Sequence, residues 1–222
     1  MLLSLADLHD CFDLPVQPLS ENRINARPTS PPFLCFADLM LAVRTRLRAA
    51  TAPAHAEVDQ IFSRFDLSSQ AGYRDFLAAH AEALLPVEAW LDSHAPGVIA
   101  DWPSRRRAQF LADDLAVLGL TTPTAAAAPF TSISHPAAVI GILYVVEGSR
   151  LGGRVLARQV PSDLPATYLS PHPNAPSWPG LMQRLDEIVR DEISEEIAIA
   201  AALQTFERFA QAGRTSARGS PA

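Results

Sequence analysis

A histidine and an aspartate lie one helical turn apart near the start of a predicted helix. His55 and Asp59 are four residues apart in TAPAHAEVDQIF, a spacing that places both side chains on one helix face. A neutral imidazole is a common metal ligand, and a carboxylate usually holds its second nitrogen. Because Thr51 and Pro53 favour a helix start here, the helix dipole would favour the neutral imidazole. The alternative is an exposed histidine in an ordinary ion pair.

Three glycines interrupt a second predicted helix. Gly148, Gly152 and Gly153 follow the run Pro136 to Val146, which is apolar on every face and is therefore predicted to be buried. Each glycine inside a helix costs about 1 kcal/mol relative to alanine, so the three need a physical reason. A bend in the helix is one reason, and the close approach of a flat ligand to the backbone is another. Helix packing at small residues is the third, and spacing alone leaves all three open.

The two segments together resemble a known family. LRAATAPAHAEVD is similar to the proximal-helix motif of heme oxygenases, and EGSRLGGRVLAR is similar to their distal-helix glycine motif. The likeness is to the bacterial branch whose members often accompany bacteriophytochromes, and it covers about Leu41 to Ala210. It implies a heme held between an imidazole and the bare backbone of a second helix.

The resemblance assigns roles to residues of both motifs. His55 matches the axial ligand of the heme iron, and Asp59 would hold its ring. Gly148, Gly152 and Gly153 match the distal glycines, whose backbone would steer oxygen onto the porphyrin edge.

Ser149 is a departure from the family pattern. Better-known relatives carry an aspartate at this position, where it organises distal water. Serine can also hydrogen-bond water, but it carries no charge. The rate and regioselectivity of any reaction therefore stay open.

Arginines near the motifs are the predicted partners of the heme propionates, because a guanidinium is the planar partner of a carboxylate. Arg48 is the first choice, since it lies seven residues before His55, where relatives carry a basic residue. Arg150, Arg154 and Arg184 are further candidates. An ordinary surface charge is the alternative for each.

Other charged and titratable residues are interpreted as structural. His80 lies on an apolar stripe and is predicted to be a core histidine instead of a second ligand. Arg105, Arg106 and Arg107 are predicted to form the solvated start of a helix capped by Ser104.

The resemblance implies an enzyme that takes heme as substrate and cofactor at once. It would use oxygen and external electrons to release biliverdin, ferrous iron and carbon monoxide. A reductase or ferredoxin would supply the electrons, because the sequence lacks a flavin or nicotinamide fingerprint, and a bacteriophytochrome could accept the biliverdin. One alternative is a non-catalytic heme sensor or carrier of the same fold. Another is a helical bundle without heme, for which a catalytic cysteine or a carboxylate cluster would be expected.

The secondary structure that supports these residues is predicted to be helical throughout, so the fold class is all-α. The resemblance makes the fold a heme oxygenase-like single-domain helical bundle over residues 39–211. Residues 1–38 are expected to be a flexible or misannotated extension, with Met40 as an alternative start, and 212–222 a disordered tail. The predicted helices are a short one near Leu41 to Arg48, a second from Pro53, and others over 70–92, 105–118, 136–160 and 180–210.

Composition excludes several other classes of protein. The net charge is −6, which argues against a nucleic-acid binder, and every basic residue is arginine. Cys11 and Cys35 are too few for a disulfide framework and fit a reducing cytoplasm. The longest apolar run, Pro136 to Val146, is far shorter than the roughly 20 residues of a membrane helix.

Overall fold

A computed structural model describes residues 36–123, 134–172 and 176–219. Every regular element in these ranges is a helix, which confirms the all-α prediction. Most of the predicted extension, 1–35, lies outside the described residues, and the first helix already includes 36–38. The elements are α1 (Phe36–Phe62), α2 (Gln70–His94), α3 (Trp102–Arg105), α4 (Ala108–Val117), α5 (Pro136–Leu156) with a 3-10 turn (Ala157–Gln159), α6 (Trp178–Ile188) and α7 (Glu192–Gly219).

The last helix, α7, organises the bundle because it packs against α1, α2 and α5. The apolar first half of α5 is buried on all faces as predicted, apart from the exposed Pro136 at its start and the half-buried Tyr144. At Gly141 the crossing of α5 and α7 is so close that an added Cβ would lie 2.1 Å from the carbonyl oxygen of Ala198. None of the described helices combines the length and the apolarity needed to cross a membrane.

Helix α1 is continuous through Pro53, so the prediction of two helices in this region is wrong. Proline removes the backbone hydrogen bond to the carbonyl of Ala49, but the packing of α1 against α7 keeps the helix intact. Thr51 does not cap a helix, because its hydroxyl donates to the carbonyl oxygen of Leu47 at 2.8 Å. His55 therefore lies well inside α1, and the helix-dipole argument for its neutral form does not apply.

The predicted helix over 180–210 is in fact two helices, α6 and α7. The chain leaves the helical conformation at Val189, whose φ and ψ are −93° and 88°. A reciprocal cap then starts α7: the Ser194 N–H donates to Asp191 Oδ1 at 2.7 Å, and the Asp191 N–H donates to Ser194 Oγ at 3.2 Å. The helix also continues to Gly219, past the boundary predicted at 211, and Ala212 is buried against the core.

The predicted helix over 105–118 is likewise divided, into α3 and α4. Ser104 lies inside α3, and α4 is capped from another helix. Both carboxylate oxygens of Glu88 accept backbone N–H groups at the start of α4, from Arg107 at 2.8 Å and from Ala108 at 2.9 Å. Gly119, with φ of 69°, follows the end of α4 as predicted.

Candidate functional site

An apolar cavity of about 190 Å³ lies between the two helices that carry the motifs, α1 and α5. Aromatic rings from all five surrounding helices form much of its wall, namely Phe62, Phe76, Tyr144, Trp178, Phe206 and Phe209. The cavity also gathers six of the residues predicted to form the site, which are Arg48, His55, Asp59, Gly148, Ser149 and Gly152. The two motifs, far apart in sequence, thus face one space.

His55 reaches the cavity from α1 with 35% of its side chain exposed. Its ring centroid lies 5.5 Å from that of Phe206. Asp59 Oδ2 lies 3.6 Å from His55 Nε2, within ion-pair range but longer than a hydrogen bond. Burial raises the pKa of Asp59, and the neighbouring His55 partly offsets that rise. The cavity therefore has an accessible imidazole with a carboxylate beside it, the pairing that an oriented metal ligand uses.

Gly148 and Gly152 present open backbone to the cavity. A Cβ added at Gly152 would meet no atom within 4 Å, and one at Gly148 would meet only the ring of Trp178, at 4.0 Å. If these glycines served helix packing, a neighbouring atom would occupy the position of the missing side chain. The space beside them is empty instead, which favours the explanation that a flat ligand approaches the backbone.

Gly153 has a different environment from the other two glycines. It is buried, and an added Cβ would lie 3.4 Å from the carbonyl oxygen of Leu169. Gly153 does not line the cavity. Packing of α5 against the loop residue Leu169 therefore accounts for the third glycine of the motif, although the sequence prediction grouped it with the ligand-facing pair.

Ser149 is hydrogen-bonded to a buried arginine. Its hydroxyl donates to the carbonyl oxygen of Val146 at 2.7 Å and accepts from Arg107 Nη2 at 2.9 Å. Arg107 also donates to that carbonyl at 3.0 Å, and its backbone is held by Glu88. The structure thus places the positively charged guanidinium of Arg107 next to the uncharged Ser149.

The prediction that residues 105–107 form a solvated helix start is wrong for two of the three arginines. Arg105 and Arg107 are 2% and 3% exposed, and only Arg106 is on the surface. Arg105 Nη1 lies 3.2 Å from Glu147, whose carboxylate is fully buried on α5 directly before Gly148. A run of three arginines read locally gives no sign of this, because the acidic partner is far away in sequence.

The other predicted propionate partners do not reach the cavity. Arg150 Nη2 pairs with Glu147 at 2.6 Å and donates to the carbonyl oxygen of Pro176 at 2.7 Å. Arg154 is exposed on α5. Arg184 donates to the carbonyl oxygen of Val98 at 2.8 Å. Of the predicted arginines, only Arg48 lines the cavity.

His80 lies in an aromatic cluster at the cavity wall. Its Nδ1 is 2.9 Å from the hydroxyl of Tyr168, and its ring centroid is 4.7 Å from that of Phe62 and 4.3 Å from that of Phe76. Burial, and then the nearby Arg107, lowers the pKa of His80 to about 3. His80 is thus a neutral, hydrogen-bonded histidine that also faces the cavity.

The low pKa of His80 predicts a loss of stability in acid. The unfolded chain takes up a proton near pH 6.5 and the folded chain only near pH 3, so the stabilisation is complete above 6.5 and falls between those values. The slope from this group is at most about 1.4 kcal/mol per pH unit. In urea titrations from pH 7 to 4, His80→Phe should lose less stability than wild type. His94→Phe, which alters a histidine stacked on Trp90, is the control. Equal losses of unfolding free energy in wild type and His80→Phe would contradict the low pKa of His80.

Sequence reasoning missed Trp178 as a wall of the cavity. The residue follows a proline-rich stretch, where Ser177 caps α6 by accepting the N–H of Gly180. Its ring lies 5.6 Å from that of Tyr144. A tryptophan at the start of a helix is the one local signal that could have drawn attention to it.

The fold and the site define an all-helical protein in which an imidazole and the open backbone of a second helix share an apolar cavity. The chain matches no protein-family model. It is 33% identical over 144 residues to a heme oxygenase from Xanthomonas campestris pv. campestris (strain 8004), covering 62% of this chain and 86% of that protein. The chain belongs to the heme oxygenase family.

A solved structure supports the fold independently. The NO- and CO-bound heme oxygenase from Neisseria meningitidis superposes with a TM-score of 0.68 at 23% identity, covering 78% of this chain and 91% of that chain. The predicted heme oxygenase-like helical fold is therefore confirmed.

Proposed function

We propose that the chain binds heme in the cavity between α1 and α5, and that it acts in the cytoplasm to cleave the heme to biliverdin, ferrous iron and carbon monoxide. The observation that supports this most is the shared cavity of His55 with the open backbone of Gly148 and Gly152. One side offers a ligand for iron, and the other leaves room for a flat ring.

Each wall of the cavity has a proposed task. His55 would bind the heme iron, and Asp59 would restrict the rotation of its imidazole. Arg48 would pair with a propionate. Bound heme would supply both the iron for oxygen activation and the ring that is opened, with electrons from an external reductase or ferredoxin. A bacteriophytochrome could take up the biliverdin.

The hydrogen bonds of Ser149 limit what it can do in the cavity. A hydroxyl has one proton and two lone pairs. The proton is used by the carbonyl of Val146 and one lone pair by Arg107, so one lone pair is left. Ser149 would therefore accept a hydrogen bond from a cavity water. Arg107 does not line the cavity, but its positive charge increases the polarity of that hydroxyl through their hydrogen bond.

A non-catalytic heme carrier is the second candidate function. The uncharged Ser149 favours it, because in better-known relatives this position carries an aspartate. The buried Arg107 does not remove that difference, because a cationic donor cannot replace an anionic acceptor and Arg107 does not line the cavity. Membership of the heme oxygenase family is the reason to propose turnover before the carrier function.

Reduction of the heme-loaded protein in air tests the proposal. Purified chain is titrated with heme, and ascorbate is then added in the presence of catalase, which removes free peroxide. We expect the Soret band to fall while a broad red absorption of biliverdin rises. Heme on serum albumin, treated in the same way, is the control. A Soret band that persists would assign the carrier function, and a protein that binds no heme would refute both.

A further inference from the structure

One face of α7 forms the back wall of the cavity. Phe206, Phe209 and Gly213 lie on it at positions i, i+3 and i+7. The ring centroid of Phe206 lies 5.5 Å from that of His55, and the centroid of Phe209 lies 5.5 Å from that of His80. The same face therefore contacts both histidines of the cavity, and Gly213 lies one turn beyond Phe209 on it.

Gly213 packs directly onto α1. An added Cβ would lie 2.6 Å from Cγ2 of Ile61 and 3.0 Å from Cε2 of Phe62. Arg214 fixes this last part of α7 through ion pairs with Glu57 on α1 and with Glu207. The glycine thus marks a close contact between α7 and the segment of α1 that follows His55.

The neighbours of Gly213 are side-chain atoms, the Cγ2 methyl of the buried Ile61 and the ring edge of Phe62. This distinguishes it from Gly141, where an added Cβ would collide with the backbone of Ala198 at 2.1 Å. A backbone carbonyl in a packed helix cannot move without disrupting the helix. A methyl group at position 213 would press on the buried Ile61, which lowers stability, and on the ring of Phe62. The phenylalanine ring can move if there is space next to it.

The space next to Phe62 is the cavity. Its ring is one wall of the cavity, and its other neighbours are the rings of Phe65, Phe76 and His80, at centroid distances of 5.5, 5.8 and 4.7 Å. Those positions are filled, so a displaced ring would enter the empty volume. We infer that Gly213 is a positioning residue that keeps the ring of Phe62 out of the cavity and so sets the width of the heme slot. This inference rests on the proposed function.

The experiment compares Gly213→Ala with two partners. Gly97→Ala is the matched control, because a Cβ at Gly97 meets nothing within 4 Å. Phe62→Leu, alone and combined with Gly213→Ala, removes the ring that is expected to move. Affinities are measured for heme and, in parallel, for the anionic dye 1-anilinonaphthalene-8-sulfonate, whose aromatic rings bind apolar cavities, together with unfolding in urea.

We expect Gly213→Ala to weaken heme binding about tenfold, with Gly97→Ala unchanged. In the Phe62→Leu background the same substitution should have little effect on heme affinity, although the contact with Ile61 still lowers the free energy of unfolding. A purely structural role would lower both quantities in both backgrounds. Wild-type affinity in Gly213→Ala, or a loss of affinity that persists in the Phe62→Leu background, would overturn the inference. If wild type binds the dye but no heme, the proposed function fails and the dye affinities decide this inference in the same way. Binding of neither ligand would overturn it as well.

Discussion

Replacing His55 by alanine is expected to lower the affinity for heme by at least about 100-fold, since even loss of the residue that orients a metal ligand costs 10–100-fold. His55 is the imidazole that α1 presents to the cavity beside Asp59. The apoprotein should stay folded, because the side chain is partly exposed and has no short hydrogen bond in the structure. Heme titration followed by absorption, together with circular dichroism of the apoprotein, measures both effects.

His94→Ala is the matched control for this substitution. His94 stacks on Trp90 at a centroid distance of 4.0 Å and does not line the cavity. This variant should bind heme as wild type does. Added imidazole should restore part of the spectrum of His55→Ala, because the side-chain deletion leaves room for a free ligand. An unchanged spectrum in His55→Ala would mean that another residue binds the iron.

The second large effect is expected at the open glycines, Gly148 and Gly152. Alanine there should stabilise the apoprotein, and a large side chain should weaken heme binding. Gly148→Ala and Gly152→Ala should each raise the free energy of unfolding of the apoprotein by up to about 1 kcal/mol, because alanine is the better helix former and no atom obstructs the new methyl group. Gly148→Leu should fill the cavity and weaken heme binding roughly 100-fold. Urea unfolding and heme titration measure the two quantities.

Gly141→Ala is the internal comparison for that series. Its added methyl group meets the backbone of Ala198, so this variant should lose stability, by about 1–3 kcal/mol. If Gly148→Ala were destabilised in the same way, the glycine would be serving helix packing. Unimpaired heme binding by Gly148→Leu would separately contradict the proposed position of the ring.

The two parts of the site, His55 with Asp59 on α1 and the glycines on α5, could be predicted from sequence because their signals are local. A histidine with a carboxylate one turn later, and glycines in an otherwise apolar helix, are patterns within single helices. Their meeting on one cavity was implied by the family resemblance and not by the spacing. Packing was one of the explanations left open for the three glycines, but it could not be assigned to Gly153 in particular, because its neighbour Leu169 lies in a loop with no regular pattern.

Errors in the prediction arose where distant contacts override local preference. Pro53 is a helix breaker by propensity, yet the packing of α1 against α7 keeps it inside a helix. Arg107 was predicted to be solvated, but Glu88 on α2 holds its backbone and Ser149 on α5 accepts from its guanidinium. Only the tertiary fold brings these three residues together. The division of the predicted helix over 180–210 could have been predicted from sequence, because Asp191 and Ser194 have the spacing of a capping box.

A crystal structure of the chain with heme would show whether His55 and the open glycines share one ligand. We expect the iron to be bonded to a ring nitrogen of His55 and the porphyrin to lie against the backbone of Gly148 and Gly152, with a propionate at Arg48. An iron bonded to His80, or a heme outside the cavity between α1 and α5, would contradict this expectation.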